Sequence, residues 1–281
     1  MEYHNPELPE GINASEEHPL KEFGLLVVGI LGGLAVITLV LAWFAGALAG
    51  YIPFQAEQRL AAHFSPTTTS SPELQHYLQT LAERLAQAED LSPDMPITVH
   101  YIDDETVNAF ATLGGHVVFF RGLLEKMPDE NTLAMVMAHE IAHIKTRAPL
   151  KTLGRGVVIG IVLQMVDTEL GTRFAGDVLG QTSLLTQLRF SRGQENEADA
   201  IGQAALANVY GGVTGADELF DVLSEVSDET DRHVIEWYRT HPQLTQRQAD
   251  LQKRAKAEGW SRGTVTPLPE QFHSWLETSK E

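Results

Sequence analysis

The apolar and polar positions divide this chain into one long uncharged stretch and a series of shorter periodic ones. Residues 23–56 contain no charged side chain, and their apolar centre, 25–48, is 24 residues long. As a helix it would measure about 36 Å, enough to cross a bilayer with some tilt. Trp43 and Tyr51 sit toward its far end, where an interfacial aromatic belt belongs. Beyond it, Leu74, Leu78, Leu81 and Leu85 recur at helical spacing behind Ser71 (an N-cap) and Pro72. Residues 97–102 alternate and predict a strand. Residues 107–111 and 116–120, on either side of Gly114-Gly115, predict two more. Leu133, Met137, Ile141 and Ile144 then form an apolar stripe that predicts a helix over 131–146, with Asp129 as its N-cap. Residues 157–166 are apolar but too short to span a bilayer, so a buried or membrane-facing helix is expected there. Gly171, Gly176 and Gly180 make the next stretch loop-prone, a possible lid. Residues 187–202, 216–226 and 231–239 read as helices. The predicted class is mainly α with a small β-sheet, preceded by one transmembrane helix.

This pattern sets the expected domain organisation. Residues 1–22 are an acidic, proline-interrupted tail expected to be disordered, and 23–52 are the membrane anchor. Residues 53–71 are a linker, 72–258 a folded domain and 259–281 a C-terminal tail. A cleaved leader is the alternative for the anchor, because Ala47-Leu48-Ala49 resembles a cleavage site. The acidic residues before the span and the length of the apolar run favour an anchor. Lys21 before the span and Arg59 after it leave the charge rule for orientation almost balanced.

The chain has 281 residues, 43% of them hydrophobic, and carries a formal net charge of -18. That charge argues against a nucleic-acid partner, which needs a basic surface. There are no cysteines, so disulfides, thiolate metal sites and thiol peptidase chemistry are excluded.

The chemistry is concentrated in His139-Glu140-Ile141-Ala142-His143, an H-E-x-x-H pattern on a predicted helix. Residues four apart share a helix face, so both imidazoles can reach one zinc ion. Glu140 points about 100° away and can instead reach a water on the metal, as a general base would. A third ligand is needed. Glu195 and Asp199 stand four apart on a predicted helix, so Glu195 is the candidate ligand. Asp199 is the candidate acceptor for the second N–H of a ligating histidine. His116 has no partner at ligand spacing and is expected to be structural.

Several of these segments together carry a family resemblance. His139-Glu140-x-x-His143 is followed by Ser191-Arg192-x-x-Glu195-x-Glu197-Ala198-Asp199-x-x-Gly202. Before them come Asn108-Ala109-Phe110-Ala111, Gly114-Gly115-His116 and Arg121-Gly122-Leu123-Leu124. After them come Thr240-His241-Pro242 and Arg247. In this order, over 72–256, they resemble the HtpX-like and CAAX-prenyl-protease-like zinc metallopeptidases. The single preceding span is similar to the BepA-like and mitochondrial-inner-membrane quality-control branch. Thr112-Leu113 stands where relatives often have a proline, a departure that bears on turn shape.

The resemblance implies one zinc ion per chain, held by two helices, and endopeptidase activity on misfolded or membrane-associated proteins. Substrate would be held as an added strand on the sheet edge formed from 109–120. It also implies that His241 is either a transition-state stabiliser or a fourth zinc ligand that holds the enzyme off. Arg247 is an oxyanion or structural candidate. The expected location is a bacterial inner membrane, with the catalytic domain in the periplasm and lipid contacted through the span. A zinc-bound chaperone or adaptor that binds clients without cleaving them is the competing reading.

Overall fold

The structure, a computed structural model, describes residues 19–62, 71–166, 189–222, 241 and 244–277. Most of the acidic tail, most of the 65–71 linker, the glycine-rich stretch after 166, the predicted helix 231–239, Thr240 and Pro242 lie outside the described residues.

Helix α1 (Pro19–Leu48) continues through a 3-10 turn (Ala49–Tyr51) into α2 (Phe54–Leu60). Residues 19–51 are apolar and long enough to cross a bilayer, and few of their side chains are buried by the rest of the protein. The folded domain opens with α3 (Pro72–Ala88). There the Ser71 hydroxyl accepts from the Leu74 N–H at 3.1 Å, and Leu74, Leu78, Leu81 and Leu85 are buried.

Three strands follow: β1 (Thr98–Ile102), β2 (Ala109–Ala111) and β3 (His116–Phe120). Their order is β1-β3-β2, with β1 parallel and β2 antiparallel to β3. The β2–β3 turn passes through Gly114 at φ 79° and Gly115 at φ 89°. A Cβ at Gly115 would lie 2.0 Å from the Pro96 carbonyl oxygen, so the turn needs glycine for space as well as for conformation. The expected substrate edge, 109–120, needs correction. β3 is the central strand, hydrogen-bonded on both sides, so only β2 offers an edge there. The other edge, β1, is closed by α3: Gln79 donates to the Ile97 carbonyl and accepts from the Val99 N–H, while Gln75 donates to the Val99 carbonyl. His116 lies outside the metal-ligating group among the described residues. Its Nδ1 lies 2.9 Å from Nε2 of His100 on β1, a partner that only strand pairing brings near.

After α4 (Arg121–Leu124) comes the central helix, α5 (Glu130–Lys145), capped by Asp129, whose carboxylate accepts from the Thr132 N–H at 2.7 Å. The sequence predicted one apolar stripe, but every residue from Glu130 to Ile144 is buried. A helix enclosed on all sides is a core element, and the small residues Ala134, Ala138 and Ala142 let neighbours approach. Helix α6 (Ala148–Val166) packs on α1, and α7 (Arg192–Tyr210) packs on α5. The α7 start differs from the predicted 187–202. Ser191 forms a capping box with Gln194, which ends the non-helical segment at Ser191 and leaves Arg189 and Phe190 outside the helix.

Helices α8 (Leu244–Glu258) and α9 (Phe272–Glu277) complete the described chain. The C-terminal segment packs into the domain. Phe272 is fully buried against Tyr77, and the Thr266 carbonyl accepts the Glu130 N–H at the start of α5.

Candidate metal centre

Two buried helices and one residue from a third segment build the site. From α5, His139 and His143 project one turn apart, their Nε2 atoms 3.0 Å from each other. From α7, Glu195 places Oε1 3.4 Å from His143 Nε2 and Oε2 3.6 Å from His139 Nε2. His241 brings Nδ1 to 3.1 Å from Glu195 Oε2 and 3.3 Å from His139 Nε2. The helices can come this close because Gly202 faces the α5 backbone. A Cβ there would sit 3.2 Å from the His139 nitrogen.

The spacing tests whether a zinc ion fits. Four donors each at roughly 2.0–2.1 Å from one tetrahedral zinc lie about 3.3 Å from one another. The distances above run from 3.0 to 3.6 Å, and all four side chains are buried. The set of three imidazoles and a carboxylate, without thiolates, suits zinc.

Electrostatics prepare the donors. Burial, with His139 alongside, pushes His143 down to about 4, so its imidazole is neutral at pH 7 with a lone pair available. Burial opposes ionisation of Glu195, but His241, His143 and His139 outweigh it and hold the carboxyl well below the usual range. Burial likewise opposes a charge on His241, and Glu195 and Glu140 more than offset it, raising its pKa.

A second layer of contacts holds the donors in place. Asp199 Oδ1 lies 3.0 Å from His139 Nδ1, which fixes the tautomer that turns Nε2 toward the cluster. Arg247 grips Asp199 with two hydrogen bonds of 2.7 Å and also reaches Glu195 Oε2 at 2.6 Å. Burial again opposes the charge on Asp199, but Arg247 and His139 win and its pKa is strongly lowered. The Arg247 guanidinium is thus engaged by two acids. Glu140 accepts the Ala111 N–H with Oε2 at 2.7 Å, while Oε1 is buried, without a hydrogen bond, and 3.5 Å from His241 Nε2. Glu197 is exposed on the opposite side of α7.

Three contributors lay outside the sequence reading. Phe190 stacks on the His143 ring with centroids 3.9 Å apart. The Ala111 N–H holds Glu140, and Gln194 ties α7 to α6 by donating to the Ala148 carbonyl. Only Gln194 had a readable signal, as the fourth residue of a Ser191-x-x-Gln194 capping box.

A buried cluster of three imidazoles and a carboxylate, with a glutamate held beside it, defines the class as zinc metallopeptidase. Residues 72–255 match the model of peptidase family M48, and the chain belongs to that family. It is 31% identical over 202 residues to a beta-barrel assembly-enhancing protease from Yersinia pestis and 29% identical over 203 residues to a putative one from Vibrio cholerae. These matches cover 66% of this chain and 39% and 40% of the relatives. It is also 28% identical over 191 residues to the mitochondrial metalloendopeptidase OMA1 of Schizosaccharomyces pombe, covering 67% of this chain and 53% of that protein. The chain therefore spans between two fifths and just over half of the relatives' own lengths. With α1, these matches mark it as a membrane protein.

Proposed function

We propose that the chain is a membrane-anchored zinc endopeptidase that cleaves misfolded or membrane-associated proteins in protein quality control. The observation that carries this reading is the convergence of four buried donor atoms at zinc-like spacing beside Glu140. In it, His139, His143 and Glu195 hold one zinc ion. When bound, the ion polarises a scissile carbonyl and acidifies water. Glu140 takes a proton from the attacking water on Oε1 and delivers it to the leaving amine, while the Ala111 N–H fixes its other oxygen. Asp199 keeps His139 in the ligating tautomer, and Arg247 keeps Asp199 and Glu195 ionised.

His241 is the fourth donor of the resting state. Its Nδ1 faces the same point as the other three, which supports a self-blocking role over oxyanion stabilisation. Substrate lies along β2. The Asn108 carbonyl and Thr112 N–H bond to β3, so by antiparallel alternation Ala109 and Ala111 turn their backbone groups away from the sheet, and with the Ala111 N–H held by Glu140 the groups left for a substrate strand are the Ala109 N–H and the Ala109 and Ala111 carbonyls. The domain lies on the periplasmic side of a bacterial inner membrane. The likeness to beta-barrel assembly-enhancing proteases supports this side.

The test is casein cleavage by the detergent-solubilised protein with and without a chelator, beside Glu140→Gln. Chelation should stop cleavage, and the variant should keep zinc while losing about 10²–10⁴ in turnover. Full turnover by zinc-loaded Glu140→Gln would refute the assignment of the base. Absence of cleavage by both wild type and His241→Ala would favour the adaptor reading. Protease added to intact spheroplasts should digest the domain, and protection until lysis would reverse the orientation.

A further inference from the structure

The two histidines of α5 are held in different ways. The χ2 torsion of a histidine is broad and roughly two-fold, so contacts outside the side chain must set the plane of the ring. A ligating histidine commonly does this by donating its other N–H to a carboxylate, a carbonyl or water. His139 follows that pattern, with Nδ1 3.0 Å from Asp199 Oδ1. His143 does not. Its side chain is fully buried, and its Nδ1 has no hydrogen-bond partner among the described residues.

What lies against His143 is Phe190. Their ring centroids are 3.9 Å apart and their planes 22° from parallel. Carbon atoms in contact are about 3.5–4.0 Å apart, so the two rings overlap over much of their area. Turning the imidazole about χ2 would drive its edge into the phenyl face. Two orientations share the stacked plane. The one present turns Nε2 to the cluster, 3.4 Å from Glu195 Oε1 and 3.0 Å from His139 Nε2. The other would offer a ring carbon there.

Phe190 is itself fixed from two sides. It is 5% exposed and packs on Ala148 at the start of α6. It also directly precedes Ser191, whose capping box with Gln194 sets the start of α7, and Gln194 donates to the Ala148 carbonyl at 3.3 Å.

We infer that Phe190 is the positioning residue for His143, doing by ring stacking what Asp199 does for His139 by hydrogen bonding. The inference rests on the zinc reading given above. A metal on Nε2 draws electron density from the imidazole, and the negative face of a phenyl ring then holds it more firmly. Loss of the ring should therefore weaken metal binding although no donor atom is removed.

Phe190→Leu keeps an apolar side chain without a flat face, and Phe190→Met is the second variant where leucine fails to fold. Zinc is titrated into the full chain in detergent against a chelating indicator, and the visible bands of cobalt-loaded protein read the ligand geometry. The variant should bind zinc about 10–100-fold more weakly and shift the cobalt bands. Phe190→Tyr, which restores the ring, should bring both back toward wild type. Ala148→Gly loosens the same packing without touching the ring. It should lower the melting temperature of the metal-free protein and leave zinc affinity and the cobalt bands unchanged. A folded Phe190 variant without the ring that binds zinc as wild type does would overturn the inference. An equal loss of affinity in Ala148→Gly would also overturn it, because Phe190 would then serve only as packing. A wild-type chain that binds no zinc would instead overturn the metal reading on which the inference rests.

Discussion

Asp199→Asn separates two jobs that the structure gives one carboxylate. Asp199 accepts from His139 Nδ1 at 3.0 Å and takes two hydrogen bonds from Arg247 at 2.7 Å. Asparagine keeps one acceptor oxygen but turns an NH₂ toward a donor. If the oxygen stays with His139, the buried guanidinium loses an ionic partner and meets another donor. Breaking one side of a buried pair costs about 3–5 kcal/mol. Arg247 still reaches Glu195 Oε2 at 2.6 Å, so the lower end applies. At about 2–4 °C per kcal/mol for a domain of this size, the metal-free protein should melt roughly 6–12 °C lower. The second job is separate: loss of an ionised acceptor behind a ligating histidine should weaken zinc binding about 10–100-fold. Thermal melts of the metal-free protein read the first effect, and zinc titration against a chelating indicator reads the second. A melt within experimental error of wild type would refute the ionic account of Arg247. Unchanged zinc affinity would refute the orientation of His139 by Asp199.

His241→Ala should raise basal casein cleavage at matched zinc occupancy, and a loss of about 10²–10³ in turnover would instead make it an oxyanion donor. Gly202→Val forces a branched side chain against the His139 backbone and should cost about 1–3 kcal/mol, read as a lower melting temperature together with weaker zinc binding. Glu130→Gln addresses pH. Burial raises the Glu130 carboxyl, but hydrogen bonds from Arg84, Tyr210 and Tyr77 outweigh it and hold its pKa below the usual value. With the folded pKa depressed, this group stabilises the protein above its unfolded pKa of about 4.5, and the contribution is lost as pH falls through the folded value. Because Arg84 is half exposed, about 1–2 kcal/mol is at stake. Melting temperatures measured from pH 6 down to pH 3 should fall less steeply for Glu130→Gln than for wild type.

What the sequence made legible follows from interaction range. His139 and His143, and Glu195 and Asp199, are each four apart on a helix, so local periodicity alone groups each pair. Caps are local too, and Ser71 and Asp129 accept the N–H groups expected of them. Contacts made between elements were not legible. His100 meets His116 only because β1 pairs in parallel with β3, and no spacing rule relates residues 16 apart. The Ala111 N–H reaches Glu140 only because β2 lies over α5. Burial of α5 on every face was hidden as well, since alanine and threonine read as neutral in a hydrophobic pattern and yet pack closely in the core.

The join between α5 and α6 connects the metal centre to the segment that follows α1. Arg147 stands between the helices at φ 59°, a left-handed conformation that residues with a Cβ rarely adopt and that costs an L-residue roughly 1–2 kcal/mol. A glycine would remove that cost but would lose three contacts. The guanidinium pairs with the buried Glu57 of α2, donates to the Ile52 carbonyl at 3.0 Å and lies over the Phe54 ring. Glu57 in turn receives the Gly114 N–H from the turn beside β2. One arginine thus sets the angle between the zinc helix and α6 and fixes both to the segment that follows α1. It stands four residues after His143. A shift of α1 against the domain therefore reaches the ligand helix and the β2 edge through the Arg147–Glu57 ion pair and the Glu57–Gly114 hydrogen bond.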